Sequence, residues 1–251
     1  MEIKQIDARG GWDNLNYVVI GKGGECLVID PLDIDQIDKV IREYRVKVKA
    51  VINTHGHLDH IQGNLEASQK FDAPIWAHPL AKQWGTKVDH YLQDREMIDL
   101  AGEADGVEVL HTPGHTMDHL SLLVTRGPDS WALICGDTLF NAGVGNCHNG
   151  GDPAVLYDTI QKIVVPLDDK VEVLPGHNYL VSNLSFTLSL EPGNMAAQQL
   201  LEQGDDQLVS NIGLERKINL FLRQAPLKFP DGEQLDGQEL FLRLREQRNR
   251  W

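Results

Sequence analysis

Three histidines and an aspartate fall within six consecutive positions, His55-Gly56-His57-Leu58-Asp59-His60. Imidazole nitrogens and carboxylate oxygens are the donors that divalent cations such as zinc, iron and manganese take, so this density of ligands points to a metal centre. The apolar stretch at 48–53 reads as a buried strand, and residues 61–65 open a helix. A loop between strand and helix turns alternate side chains toward one point: His55 and His57 toward one cation, Asp59 and His60 toward a second beside it. Three more donors stand just past short apolar runs. His115 follows the run at 107–110, Asp137 the run at 131–135, and His177 the run at 171–175. Open α/β sheets bind ligands in this position, outside the carboxyl ends of their strands.

Those donors need strands to carry them and helices to cover the strands. Gly21-Lys22-Gly23-Gly24 between two apolar runs marks a β-hairpin. Ile34, Ile37, Val40 and Ile41 recur at helical spacing within 33–44, which predicts an amphipathic helix there. Asp152-Pro153 starts another, with proline at its first position, running to 163. Strand, helix, strand thus alternates through the first two thirds of the chain, an α/β pattern. After Tyr179 the strands largely stop, and helices are predicted at 180–190, 195–203, 214–221 and 240–248. The domains follow: residues 1–180 form an α/β unit and 181–251 a helical one.

Composition narrows the partners. Lys plus Arg number 23 against 37 Asp plus Glu, a net charge of -14. Phosphate neutralisation needs a cationic face, so nucleic acid is excluded as a partner class. No apolar run approaches the roughly 20 residues of a membrane span. Cys26, Cys135 and Cys147 show no paired spacing, which predicts a reducing, cytoplasmic setting. Cys26 and Cys135 lie in apolar runs and read as core, and Cys147 as a small filler in a glycine-rich loop. Of the remaining histidines, His78 and His111 read as structural loop residues, His90 as a surface residue and His119 as a buried, satisfied one. Asp118 and His119 are also candidates to orient a ligand from behind.

The order His-x-His-x-Asp-His, then His, Asp and His at successive strand ends, resembles the metallo-β-lactamase superfamily of dinuclear metallohydrolases. That resemblance implies a four-layer αββα metallo-β-lactamase sandwich, here with a C-terminal α-helical domain. It also implies two divalent metal ions, with zinc, iron and manganese all acceptable to the donors. His55, His57 and His115 would hold the first ion, Asp59, His60 and His177 the second, and Asp137 would bridge them. Within the superfamily the chain looks like glyoxalase II, the hydroxyacylglutathione hydrolases. The segments that carry this are Gly136-Asp137-Thr138-Leu139-Phe140, Gly176-His177-Asn178-Tyr179, Glu191-Pro192-Gly193-Asn194 and Asn219-Leu220-Phe221-Leu222-Arg223. The implied reaction is hydrolysis of an acyl thioester, S-lactoylglutathione or a related hydroxyacyl thioester, with Asp59 or Asp137 orienting the attacking water. The implied contacts to this small-molecule substrate are Tyr179, Asn146, His148 and Arg223.

Two departures stand out. Asn146 and His148 occupy positions where that family carries a lysine and a tyrosine that hold glutathione, and neither supplies a permanent cation at neutral pH. Leu220 stands where the family has proline, and only Lys228 lies near the place of a further basic residue. A weaker electrostatic grip on the glutathione carboxylates is therefore expected. Competing readings are a persulfide dioxygenase using His55, His115 and Asp137 around one iron, a lactonase or other ester hydrolase, and a binding protein that has lost its chemistry. The dioxygenase would consume oxygen, and the helical tail argues against a lactonase.

Overall fold

The computed structural model describes residues 1–8, 13–85, 87–100, 105–204 and 209–251. Two six-stranded sheets form its centre. The first runs in chain order: β1 (Glu2–Ala8), β2 (Asn14–Ile20), β3 (Glu25–Ile29), β4 (Lys47–Ile52), β5 (Ile75–Ala77) and β6 (His90–Tyr91). Strands β1 to β3 are antiparallel, and β3 to β6 are parallel. The second sheet holds β7 (Met97–Asp99), β8 (Gly106–His111), β9 (Leu120–Arg126) and β10 (Asp129–Gly136). A small hairpin, β11 (Leu139–Phe140) with β12 (Gly143–Val144), follows β10, and β13 (Glu172–Pro175) and β14 (Ser210–Asn211) complete the sheet beyond it.

Side chains alternate across each strand, so every strand feeds two cores. Tyr17, Val19, Leu27, Ile29 and Ile52 point between the sheets, where they meet Val107, Val109, Leu122, Val124 and Ile134. Their neighbours Val18, Ile20, Cys26 and Val28 point outward onto helices α1 (Ile34–Tyr44) and α3 (Asn64–Phe71), through Ile34, Ile37, Ile41 and Ala67. On the opposite outer face, Leu110, Leu123, Leu133 and Cys135 pack against Leu156 and Leu244, which belong to α4 (Pro153–Thr159) and α8 (Gly237–Arg248). Four layers result, helix–sheet–sheet–helix. The predicted amphipathic helix starts at Ile34, with the Asp33 side chain accepting from the Gln36 amide as its cap.

The C-terminal helices are α5 (Leu180–Leu190), α6 (Met195–Gln203), α7 (Ile212–Ile218) and α8, with the short hairpin β15 (Leu227–Lys228) and β16 (Gln234–Leu235) before the last. They do not stand apart from the sandwich. β14 pairs with β13 inside the second sheet, and Phe186, Phe221, Phe241 and Leu244 share one core with Leu133 and Cys135. Among the described residues no helix is long and apolar enough to cross a membrane.

Pairing directions explain where the site forms. β8 is antiparallel to β9, β9 to β10, and β10 is parallel to β13, so β8, β10 and β13 end at one edge. Backbone bonds join the two sheets there: Leu120 N–H to Thr54 O at 2.7 Å and Leu15 N–H to Gly176 O at 2.8 Å. The Tyr17 hydroxyl adds a third, to Pro175 O at 2.6 Å.

Candidate metal centre

The seven donors predicted from the sequence converge at this edge. His55 leaves the end of β4, and His57 precedes a short helix, α2 (Leu58–Ile61). That helix starts earlier than the sequence suggests, so Asp59 and His60 sit on its single turn and are swung away from His57. His115 lies between β8 and β9, Asp137 directly after β10, and His177 just beyond β13. Three groups of donor atoms lie close enough to share an ion: His55, His57 and His115; His55, His60 and Asp137; Asp59, His60 and His177. Asp137 stands between the outer two, with Oδ2 at 3.4 Å from His115 Nε2 and 3.5 Å from His177 Nε2, and Oδ1 at 3.5 Å from His60 Nε2.

The protonation pattern fits cations at these points. His57 Nε2 faces the Asn149 carbonyl at 3.1 Å, His115 Nδ1 the Asn146 carbonyl at 2.5 Å, and His60 Nδ1 the Asp30 carboxylate at 2.8 Å. Carbonyl and carboxylate oxygens only accept, so each of these outer nitrogens carries a hydrogen, and in a neutral ring the inner one then presents a lone pair. Inner nitrogens nevertheless face one another: His57 Nδ1 is 3.0 Å from both His55 Nε2 and His115 Nε2, and His60 Nε2 is 3.2 Å from His177 Nε2. Among the described residues the buried Asp137 Oδ1 has no hydrogen-bond partner. Lone pairs converging on one another and an orphaned buried carboxylate oxygen are what a cation relieves. Burial lowers the His55 and His115 pKa values and keeps those rings neutral. Burial opposes charge on His60 as well, yet the Asp137 and Asp30 carboxylates outweigh it and raise its pKa to about 9, so a divalent cation bound at its Nε2 would displace a proton there.

One supporting residue was not singled out as functional in the sequence. Asp30, at the end of β3 with φ +48°, accepts from Thr54 N, Thr54 Oγ1 and His60 Nδ1. It stands in the same strand-end context as the donors, which is the signal that finds it. His119 is buried and satisfied as expected, and it also accepts the Asp137 backbone N–H at 3.0 Å. Asp118 instead accepts from the Trp84 indole at 2.5 Å. Glycine is required close by. At Gly176 a Cβ would strike Asp137 Oδ1, and at Gly136, where φ is +46°, it would come within 2.8 Å of His119 Nε2 and the Thr54 side chain.

Beside the donors lies a cavity of about 410 Å³ lined by Phe140, Asn146, His148, Tyr179, Arg245 and Arg248. Asn146, His148 and Tyr179 share this cavity, whereas Arg223 is not among its lining residues and its guanidinium is paired with Glu191. The cations come instead from α8, where Arg245 and Arg248 are three residues apart on one helix face. Arg245 donates to Val144 O and Gly145 O at 2.8 and 3.2 Å, and Arg248 to Ser182 Oγ at 2.7 Å. Burial lowers both pKa values, Arg245 to about 10, which leaves it charged at neutral pH. Asn146 and His148 are thus joined in this cavity by two guanidinium groups that the sequence did not single out. The Tyr179 ring stacks on His177 with centroids 5.0 Å apart, and lines both this cavity and the one over the donors.

Comparisons with known proteins agree with this arrangement. The family model described as the metallo-beta-lactamase superfamily matches residues 10–177, and the one described as the hydroxyacylglutathione hydrolase C-terminus matches residues 178–251. The hydroxyacylglutathione hydrolase of Nitrosococcus oceani is 38% identical over 266 residues, covering all of both chains. That of a Polaromonas species is also 38% identical, over 267 residues and again all of both chains. The crystal structure of ETHE1 from Myxococcus xanthus superposes with a TM-score of 0.71 at 20% identity, covering 98% of this chain and 90% of that one, and shows the shared fold. The chain belongs to the metallo-β-lactamase superfamily and, within it, to the hydroxyacylglutathione hydrolase family.

Proposed function

We propose that the chain is a metal-dependent hydrolase that cleaves the acyl thioester of an anionic thiol, hydroxyacylglutathione thioesters among them. The observation that carries this reading is the joining of two features. A seven-donor centre suited to two divalent ions, zinc, iron or manganese, shares Asn146 and Tyr179 with a cavity holding two arginines. We assign His55, His57 and His115 to one ion, Asp59, His60 and His177 to the other, and Asp137 to both. Bound there, divalent cations supply Lewis acidity toward an acyl carbonyl and bring the pKa of water down to about 7.

The chain's own groups do the rest. Asp59, fixed by a 3.1 Å bond from Asn14 Nδ2, orients the attacking water together with Asp137. Burial and the Asp137 and Asp59 charges push the Tyr179 phenol up to about 12, so it keeps its proton and donates to the substrate. Arg248 and Arg245 take carboxylates of the thiol portion in charge-assisted bonds. A thiolate whose acid has a pKa of about 8.5 departs with little help, and no dedicated acid is needed beside it. In this reading residues 1–180 perform the chemistry, and 181–251 complete the substrate cavity.

The test is a panel of thioesters offered to chelator-stripped protein reloaded with zinc, iron or manganese. Free thiol should be released, with glutathione thioesters preferred at least tenfold over those of a neutral thiol. Absence of thiol release across the panel refutes the reading. Oxygen uptake by a one-iron form would replace it with persulfide oxidation.

A further inference from the structure

A second cavity of about 410 Å³ adjoins the donor cluster, lined by Gly56, Leu80, Trp84, Met117, Asp118 and Asn149, with His57. His57 and Asn149 also line the cavity over the donors, and the 3.1 Å bond between His57 Nε2 and the Asn149 carbonyl is the wall that the two share. The cavity over the donors therefore adjoins both the arginine cavity, through Asn146 and Tyr179, and this cleft, through His57 and Asn149. A thioester has two arms leaving its carbonyl carbon, the thiol arm and the acyl arm. If the arginines hold the thiol arm, this cleft is left for the acyl arm.

The cleft's chemistry differs from that of the arginine cavity. Among the described residues no lysine or arginine lines it, and Asp118 contributes a carboxylate whose Oδ2 accepts from the Trp84 indole N–H. Leu80 and Met117 leave 40% and 41% of their surface uncovered on the walls of a concave site. Apolar surface exposed in a concavity gains favourable free energy when a ligand covers it. The volume accommodates up to about a dozen non-hydrogen atoms at ~30 Å³ each.

We propose that this cleft receives the acyl arm and selects uncharged, apolar acyl groups longer than lactoyl, aliphatic or aromatic, while excluding carboxylated ones. The inference rests on the thioester reading and deepens it. A two-carbon acyl group ends on the donor side of the His57–Asn149 wall and gains nothing from Leu80, Trp84 or Met117. A six-carbon or phenyl-bearing group is long enough to extend past His57 and Asn149 and cover them. A succinyl group brings its carboxylate against Asp118.

The experiment compares acetyl, hexanoyl, phenylacetyl and succinyl thioesters of a single thiol, using wild type and the variants Leu80→Glu and Met117→Glu. Wild type should favour hexanoyl and phenylacetyl over acetyl by at least tenfold in kcat/KM, with succinyl lowest. Each variant should reduce the hexanoyl-to-acetyl ratio about tenfold, at wild-type metal content and thermal midpoint. A ratio that stays within twofold in both variants overturns the proposal and leaves thioester hydrolysis standing. A second readout separates the two ideas should turnover be absent altogether: titration of metal-loaded protein with phenylacetate, followed by tryptophan fluorescence. Saturable binding that Met117→Glu weakens at least tenfold supports the cleft, and binding that is absent or equal in both proteins rejects it.

Discussion

Each donor at this centre owes its direction to a neighbour that is not itself a donor. Gly176 is the tightest case, because any side chain there enters the space of Asp137 Oδ1 and comes within 3.0 Å of His60 Cε1. Gly176→Ala should cost at least about 2 kcal/mol of transition-state stabilisation, roughly a thirtyfold loss in kcat/KM. Metal content measured after gel filtration should fall with it. Arg248→Gln keeps a hydrogen-bonding group but removes the charge. KM for a glutathione thioester should rise about tenfold or more with kcat nearly unchanged, and added salt should narrow the gap between the two proteins. The donors themselves were legible in the sequence because their residue types are rare together and recur at strand ends. The arginines were not, since nothing local distinguishes Arg245 and Arg248 from other basic residues of a charged helix. Arg223 was the candidate nearer to a familiar segment, but Glu191 occupies it.

At the level of elements, the hairpin of β11 and β12 connects the Asp137 loop to the arginine cavity, and C-terminal side chains hold it in place. Glu215 on α7 accepts from Asn141 Nδ2, Ala142 N, Asn219 Nδ2 and Ser210 Oγ. Asn183 on α5 donates to Asn141 O, and Asn219 to Gly143 O. Burial pushes the Glu215 carboxyl up, against those donors. Glu215→Ala strands several buried donors at once, so chemical denaturation should show a loss of about 3 kcal/mol or more. A separate contact pins the turn at Pro79–Trp84. His78 accepts from Leu80 N at 3.2 Å and stacks on His111 with centroids 4.4 Å apart. Burial first, then His111, hold the His78 pKa down to about 4. That is below the value of about 6.5 in an unfolded chain, so its contribution is complete above about pH 6.5 and lost as pH falls toward 4. His78→Asn keeps an acceptor without the titration. Its thermal midpoint should fall less than that of wild type over this range, the difference amounting to at most about 1 kcal/mol for a half-exposed ring. Helix and strand positions were largely readable from period and capping. The early start of α2 was not, because one turn of helix leaves no periodic trace and is set by where Asp59 and His60 must face.

Across the whole molecule, the four layers were expected from the family resemblance, whereas the merging of the C-terminal helices with the second sheet was not. Hydrophobic periodicity identifies which face of a helix is apolar without saying which surface covers it. Here Phe186, Phe221, Phe241 and Leu244 are the cover over Leu133 and Cys135. A chain cut after Tyr179 would expose that face and lose β14 from its sheet, so it should lack a cooperative thermal transition and bind a hydrophobic dye such as ANS. The backbone bonds joining the two sheets beneath the donors are made without the histidines' help: Leu120 to Thr54 and Leu15 to Gly176. Chelator-stripped protein should therefore keep its far-UV circular dichroism and accept zinc, iron or manganese in turn, and collapse of that spectrum on stripping would show that the cations hold the two sheets together.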